Sequence, residues 1–242
     1  ALKDKFFARM YDLSAFMKVV KQRFTQFFNK KHGRKGTLWE DRFKSVLVED
    51  GHAARVVAGY IDLNPLRAGL VRDPRDYRWC SYGEAVAGRK AARTGLQRVM
   101  FEQRSGVTSV ERAARDASDW RKVARAYREM LFRDGGAARE EKEGGTRKSG
   151  VRTFSESEVQ EVLRSGGRLS EGEMLRCRVR YLADGMVLGS RRFVERVFRL
   201  SRGEAGRFPA TRRDGARRMR GVATDLFTMR DLQRAALGGS AD

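Results

Sequence analysis

The stretch Gly59-Tyr60-Ile61-Asp62-Leu63-Asn64-Pro65-Leu66-Arg67-Ala68-Gly69-Leu70-Val71 decides how this chain is read. Tyr60 and Asn64 are four residues apart, so on a helix they project from one face, one turn apart. Val57 and Ile61 take the neighbouring apolar face. Pro65 stops or bends the helix there, because proline lacks an N–H and disfavours helical geometry in the residue before it. A tyrosine hydroxyl, with a pKa of about 10 in water, is a poor nucleophile. It becomes useful where a metal polarises the electrophile and holds a phosphate in line. A neutral Asn carbonyl is a reasonable oxygen ligand for Mg2+ or Mn2+, and Arg67 is placed to neutralise phosphate charge. Spacing alone also fits a bland reading, with Tyr60 a half-buried helix residue and Asn64 a turn residue ahead of proline.

On either side of this stretch the chain alternates helix signals with turns. Leu13, Phe16, Met17, Val20, Phe24, Phe27 and Phe28 recur at helical spacing, which predicts a helix over 12–32. Asp12 would cap it, Lys30, Lys31 and His32 suit its last turn, and Gly33 would end it. Phe43 to Val48 is rich in β-formers and reads as extended. Asp50 would cap a helix from Gly51 to Leu63. Asp73-Pro74 is a turn, followed by an aromatic patch of Tyr77, Trp79 and Tyr82.

Asp119 would cap a helix carrying Trp120, Val123, Tyr127 and Leu131. Residues 134–150 are Gly-rich and charged and read as a linker. Two capping boxes, Ser155 with Glu158 and Ser170 with Glu173, predict helices at 156–165 and 171–182. A turn over Asp184 to Gly189 and a helix capped by Ser190 follow, then a mobile basic loop over 205–220. The predicted domains are therefore 1–100, a connecting helix at 105–133, the linker, and an Arg-rich helical region at 151–242.

The 242 residues carry 52 Lys and Arg against 31 Asp and Glu, a net charge of +21, which points to a polyanionic partner. Of the cations, 40 are Arg and 12 are Lys. Arg forks match phosphate bidentately, although a GC-rich genome would produce the same bias. No run of about 18 apolar residues is present, so no membrane span is expected. Cys80 and Cys177 are too few for a four-ligand zinc site and fit a reducing interior. His32 and His52 read as solvent-facing. The cysteine usage leads to the expectation of a cytoplasmic location.

Three motifs stand in order: Trp39-Glu40-Asp41-Arg42-Phe43-Lys44-Ser45, then Tyr60 to Val71, then Asp76-Tyr77-Arg78-Trp79-Cys80-Ser81-Tyr82. Together they resemble the REP-associated tyrosine transposases, relatives of the single-tyrosine HUH transposases of bacterial insertion sequences. The resemblance covers 12–88, and more loosely 150–235. It implies an α/β, ferredoxin-like domain with single-stranded or hairpin DNA as partner. It also implies that Tyr60 attacks a phosphodiester to leave a 5′-phosphotyrosine, and that Mg2+ or Mn2+ is held by Asn64 and a His-hydrophobic-His pair.

In the family that pair lies upstream of the helix at 12, and residues 1–11 contain no His. The expectation is thus a partial catalytic domain lacking the first strands, from a longer protein or a decayed copy, which binds Mg2+ weakly and cleaves DNA poorly or not at all. The competing reading is a non-catalytic DNA-binding module.

Residues 1–48 hold eight Lys and four Arg against four acids. The candidate DNA contacts there are Lys18, Lys21, Lys30, Lys31 and Arg42, with Arg67 beyond. Trp39, Tyr77, Trp79 and Tyr82 are candidates for stacking on unpaired bases, although Trp39 and Trp79 also suit a core. The helices at 171–182 and 190–200 suggest a helix-turn-helix, with Arg191 and Arg192 toward DNA. Arg212, Arg213, Arg217 and Arg218 in the basic loop would reach a groove or backbone. A second copy of the chain is a further candidate partner.

Overall fold

A computed structural model describes residues 10–101, 120–132, 161–162, 164, 167–177, 179–201, 214–230 and 232. The chain divides into two compact units, residues 1–45 and 46–242. The boundary between the units lies between Ser45 and Val46. In the second unit, buried apolar side chains from Ala53 to Leu96, Val123 to Leu131 and Leu169 to Leu182, with Leu188, Met219, Val222 and Leu226, form one core, and Val187, Val194, Phe198 and Met229 form another.

The first unit contains helix α1, Leu13–His32. Its ends are those the sequence predicts. The Asp12 carboxylate accepts the Ala15 N–H at 3.0 Å, and Gly33, at φ 61°, closes the helix by donating its N–H to the Asn29 carbonyl. No residue of α1 is buried. The segment after it folds back within the unit. Lys21 Nζ donates to the Asp41 carbonyl at 2.9 Å and lies 4.7 Å from the centre of the Trp39 ring. The Trp39 indole N–H donates to Thr25 Oγ1 at 3.0 Å.

The second unit is α/β. It begins with strand β1, Leu47–Val48, then helix α2, His52–Asp62, and the one-turn helix α3, Asn64–Arg67. Asp50 does not cap α2: Gly51 takes the cap position at φ 82°, and no side chain caps there. A 3-10 turn, Pro74–Asp76, leads to α4, Ser81–Val86, and α5, Lys90–Phe101. Helix α6 is Trp120–Phe132, and the expected Val123, Tyr127 and Leu131 form its buried face.

The predicted helix at 171–182 is two short helices, α7 (Glu171–Arg176) and α8 (Tyr181–Asp184), broken where Cys177 adopts extended geometry. The capping box of α7 is present as predicted, Ser170 and Glu173 each accepting the other's backbone N–H. Strand β2, Val187–Gly189, replaces the expected turn and precedes α9, Arg191–Ser201. Strands β3, Arg217–Arg218, and β4, Phe227–Thr228, complete the second unit. Arg217 and Arg218 therefore sit in a strand and not in a mobile loop.

The sheet order is β1-β2-β4-β3. The β1–β2 pair is parallel, with Leu47 opposite Val187, and the other two pairs are antiparallel. Three of the four strands thus come from the region expected to be helical. Strand β2 has all three residues buried, as befits a strand with neighbours on both edges. Because β2 stands between α8 and α9, these helices are not joined by a turn alone, and the helix-turn-helix expectation finds a sheet strand at its turn. The predicted helix at 156–165 and its capping box, the caps at Asp119, and the linker at 134–150 lie wholly or largely outside the described residues. No helix among the described residues is long and apolar enough to cross a membrane.

Candidate functional site

Helix α2 buries Ala53, Val56, Gly59 and Asp62 along one face. Gly59 permits close approach of α6: a Cβ there would stand 3.1 Å from Met130 Cε and 3.2 Å from Leu131 Cδ2. Burying that face leaves Tyr60 half-buried at the edge of the core, while α3 carries Asn64 exposed. Arg67, on the same short helix, gathers the motif. Its guanidinium lies 3.9 Å from the centre of the Tyr60 ring, donates to the Tyr60 carbonyl at 2.6 Å, and donates to Asn64 Oδ1. It also donates to the Leu175 carbonyl at the end of α7. Burial pulls the Arg67 guanidinium below its ordinary value, and the neighbouring Tyr60 and Cys177 oppose that shift.

Beyond a ring that packs against the core under the Arg67 guanidinium lies the Tyr60 hydroxyl. It accepts the Val179 backbone N–H at 3.2 Å. The extended break between α7 and α8 is what presents that N–H. Spacing placed Tyr60 and Asn64 one turn apart with Arg67 just beyond, and Arg67 contacts both. It gave no sign that the chain 108 residues beyond Arg67 supplies a carbonyl to the cluster.

Asp62, between Tyr60 and Asn64 in sequence, is fully buried. Its carboxylate accepts the Ser81 hydroxyl at 2.9 Å and the Tyr127 hydroxyl at 2.7 Å, so helices α2, α4 and α6 meet on one charge. Burial and this carboxylate push the Tyr127 phenol well above its usual range. An acid one residue from an exposed isoleucine gave no cue to this role in the sequence.

Comparison of the chain with family models, characterised proteins and solved structures finds no match. The site rests on its own geometry.

That geometry does not suit a divalent cation. Asn64 Oδ1, the expected ligand, already faces the Arg67 guanidinium, a fixed positive charge. No group of three or more His, Cys, Asp or Glu that would hold a metal exists among the described residues. His52 lies at the first turn of α2 and is paired with Glu171 at 2.9 Å. The hydrogen bond to Glu171 raises the His52 pKa against the opposing effect of burial. The two thiols offer no alternative nucleophile: burial pushes Cys177 up to about 11 and also raises Cys80.

The remaining candidates separate by environment. In the first unit Lys18, Lys30, Lys31 and Arg42 are exposed, and Lys21 is half-buried against Trp39. In the second, Arg191 and Arg192 are exposed at the start of α9 and Arg218 is exposed on β3. Arg217 is half-buried and paired with Asp214. Arg212 and Arg213 lie outside the described residues. Among the aromatic candidates, Tyr82 is a core residue, 3% exposed and packed 5.5 Å from the Tyr127 ring, so it cannot stack on a base. Trp79, three residues earlier, is 69% exposed.

Proposed function

We propose that this chain binds single-stranded or hairpin DNA as a protein of the REP-associated tyrosine transposase type. In a complete catalytic centre, Tyr60 would be the nucleophile of strand cleavage and rejoining. The observation that carries this reading is the gathering of Tyr60, Asn64 and Arg67 into one cluster, with a guanidinium over the phenol ring. A guanidinium beside an exposed amide is chemistry suited to a phosphodiester. The exposed Lys and Arg of α1 and α9 supply further phosphate contacts, and a DNA partner suits the net charge of +21.

A second reading, a DNA-binding module that does not cleave, is favoured by two contacts. The Tyr60 hydroxyl is engaged by the Val179 N–H, and the Asn64 oxygen is engaged by Arg67. For the described residues the proposal is therefore binding, and no cleavage step is assigned to a metal they do not fit. The His pair that the family uses would have to complete the centre before Tyr60 could act.

The test is a mobility-shift titration with hairpin-flanked single-stranded DNA and with duplex DNA of equal length, followed by incubation with Mg2+. The expected result is salt-dependent binding that favours the hairpin-flanked strand, with no covalent adduct. Efficient formation of a Tyr60–DNA adduct would overturn the view that the described site is incomplete. Absent binding to both DNAs would remove the DNA reading, and equal binding would remove the assignment to single-stranded or hairpin DNA.

A further inference from the structure

Beside Asn64 the second unit carries an open groove enclosing about 460 Å3, within the size range of small-ligand sites. Ile61, Asn64, Leu70, Tyr77, Trp79 and Ser81 line it. We propose that this groove is a nucleobase-binding subsite, in which one unpaired base of a DNA strand stacks on Trp79 while the adjoining phosphate meets Arg78. The proposal rests on the DNA reading above and deepens it by assigning the base contact to a place and a residue.

Four observations converge on that occupant. First, the groove gathers three exposed large apolar side chains in one place: Trp79 at 69%, Leu70 at 64% and Ile61 at 53%. Base stacking would use the ring face that Arg78 does not cover, and stacking tolerates any base because every base has a π-face. Second, the Arg78 guanidinium lies 4.2 Å from the centre of the Trp79 ring. A cation on the stacking residue itself distinguishes this groove from one built for an apolar peptide side chain, and it suits a ligand that carries a phosphate one bond system away from its ring.

Third, the lining holds hydrogen-bonding groups among its hydrocarbon. The Asn64 carboxamide is oriented through its oxygen by Arg67, which leaves its nitrogen as a donor. Ser81 spends its proton on Asp62 and keeps lone pairs for a donor on a base edge. Fourth, the nearby acids are engaged with groups of the chain. Asp62 is buried on Ser81 and Tyr127, Asp73 is held by Arg128 at 2.7 Å, and Asp76 lies 3.8 Å from Arg75. An approaching phosphate therefore meets Arg78 and Arg67 without an unpaired carboxylate among these three. The groove borders the Tyr60 cluster through Asn64, so a base seated there would bring its neighbouring phosphodiester toward Arg67.

The experiment uses the full chain with Trp39→Phe and Trp120→Phe, which leaves Trp79 as its only tryptophan. Its emission is titrated with a short oligothymidylate and with an oligonucleotide of the same length made abasic. In parallel, Trp79→Ala is introduced into the otherwise unaltered chain and its affinity for oligothymidylate is measured by anisotropy. Trp79 is mostly exposed, so this variant keeps the fold. The expected result is quenching by oligothymidylate but not by the abasic strand, and an affinity for the former lowered about 5- to 150-fold by Trp79→Ala, with duplex binding unchanged.

Tight binding of oligothymidylate with unchanged Trp79 emission and no effect of Trp79→Ala would overturn the subsite while leaving the DNA reading intact. Equal quenching by both strands would also overturn it, because the contact would then be to backbone. Emission that shifts with protein concentration alone would assign the groove to a second copy of the chain. Absence of binding to any strand would instead sink the DNA reading itself.

Discussion

Helices α1 and α2 carry the same signal and meet opposite fates. Both place apolar side chains at helical spacing, and α1 is the longer, at 20 residues against 11. Yet α1 buries none of its residues and leaves Leu13, Phe16, Phe24 and Phe27 exposed, whereas α2 buries four and packs against α6 and α7. The difference teaches that periodicity specifies a face without specifying its partner. Helix α2 has Gly59, where α6 approaches within side-chain contact, and Asp62, which draws in the hydroxyls of α4 and α6. Helix α1 holds its shape through caps and through the Trp39 and Asp41 contacts of its own unit.

The comparison can be broken most forcefully at Leu63, which follows α2 and is fully buried. Leu63→Ala is expected to destabilise the second unit by about 2–5 kcal/mol, measured by urea unfolding. A loss below about 1 kcal/mol would mean that the core around α2 is loosely packed. Next in size, Tyr127→Phe removes one of the two hydroxyls on the buried Asp62 carboxylate. The expected cost is about 1–3 kcal/mol, because the acceptor is left partly unsatisfied away from water. Asp62→Asn in the Tyr127→Phe background should recover part of it by removing the charge.

A smaller effect concerns His52 and Glu171, which tie the first turn of α2 to the first residue of α7. The hydrogen bond to Glu171 raises the His52 pKa above its usual 6.5. Its stabilising contribution is complete below 6.5, the unfolded value, and is lost as pH rises through the higher folded value. Both side chains are partly exposed, so the amount is expected to stay under about 1 kcal/mol. Chemical unfolding at about pH 6 and about pH 9 should show stability falling with this group's titration, and His52→Gln should flatten that part of the profile. The smallest effect is expected on α1: Phe27→Ala should change stability by no more than about 0.5 kcal/mol. A larger loss would show that Phe27 contributes packing that its 60% exposure does not reveal.

Much of the local structure was legible. Asp12 and Gly33 bound α1, Ser170 and Glu173 form their box, and α2 spans nearly its predicted range. These are short-range hydrogen bonds and spacings, written within a few residues of one another. The sheet was not legible. Strands of two or three residues carry too little alternation to be read, and β1 pairs with a strand about 140 residues away. The same limit applied to the aromatic motif. Trp79 and Tyr82 stand three residues apart, with nothing in their neighbourhood to say which one faces water.

The sequence by itself determined that Tyr60, Asn64 and Arg67 share a locality, because four- and seven-residue separations across a helix and a proline turn leave few other placements. It also set the strong positive charge and the caps that bound α1 and α7. Only the tertiary structure decided what holds that locality. The Val179 N–H on the Tyr60 hydroxyl and the Leu175 carbonyl on Arg67 arise from chain-distant packing. Burial is a property of which surfaces meet, and that choice depends on loop closures and core volumes across the whole unit and not on neighbours in sequence.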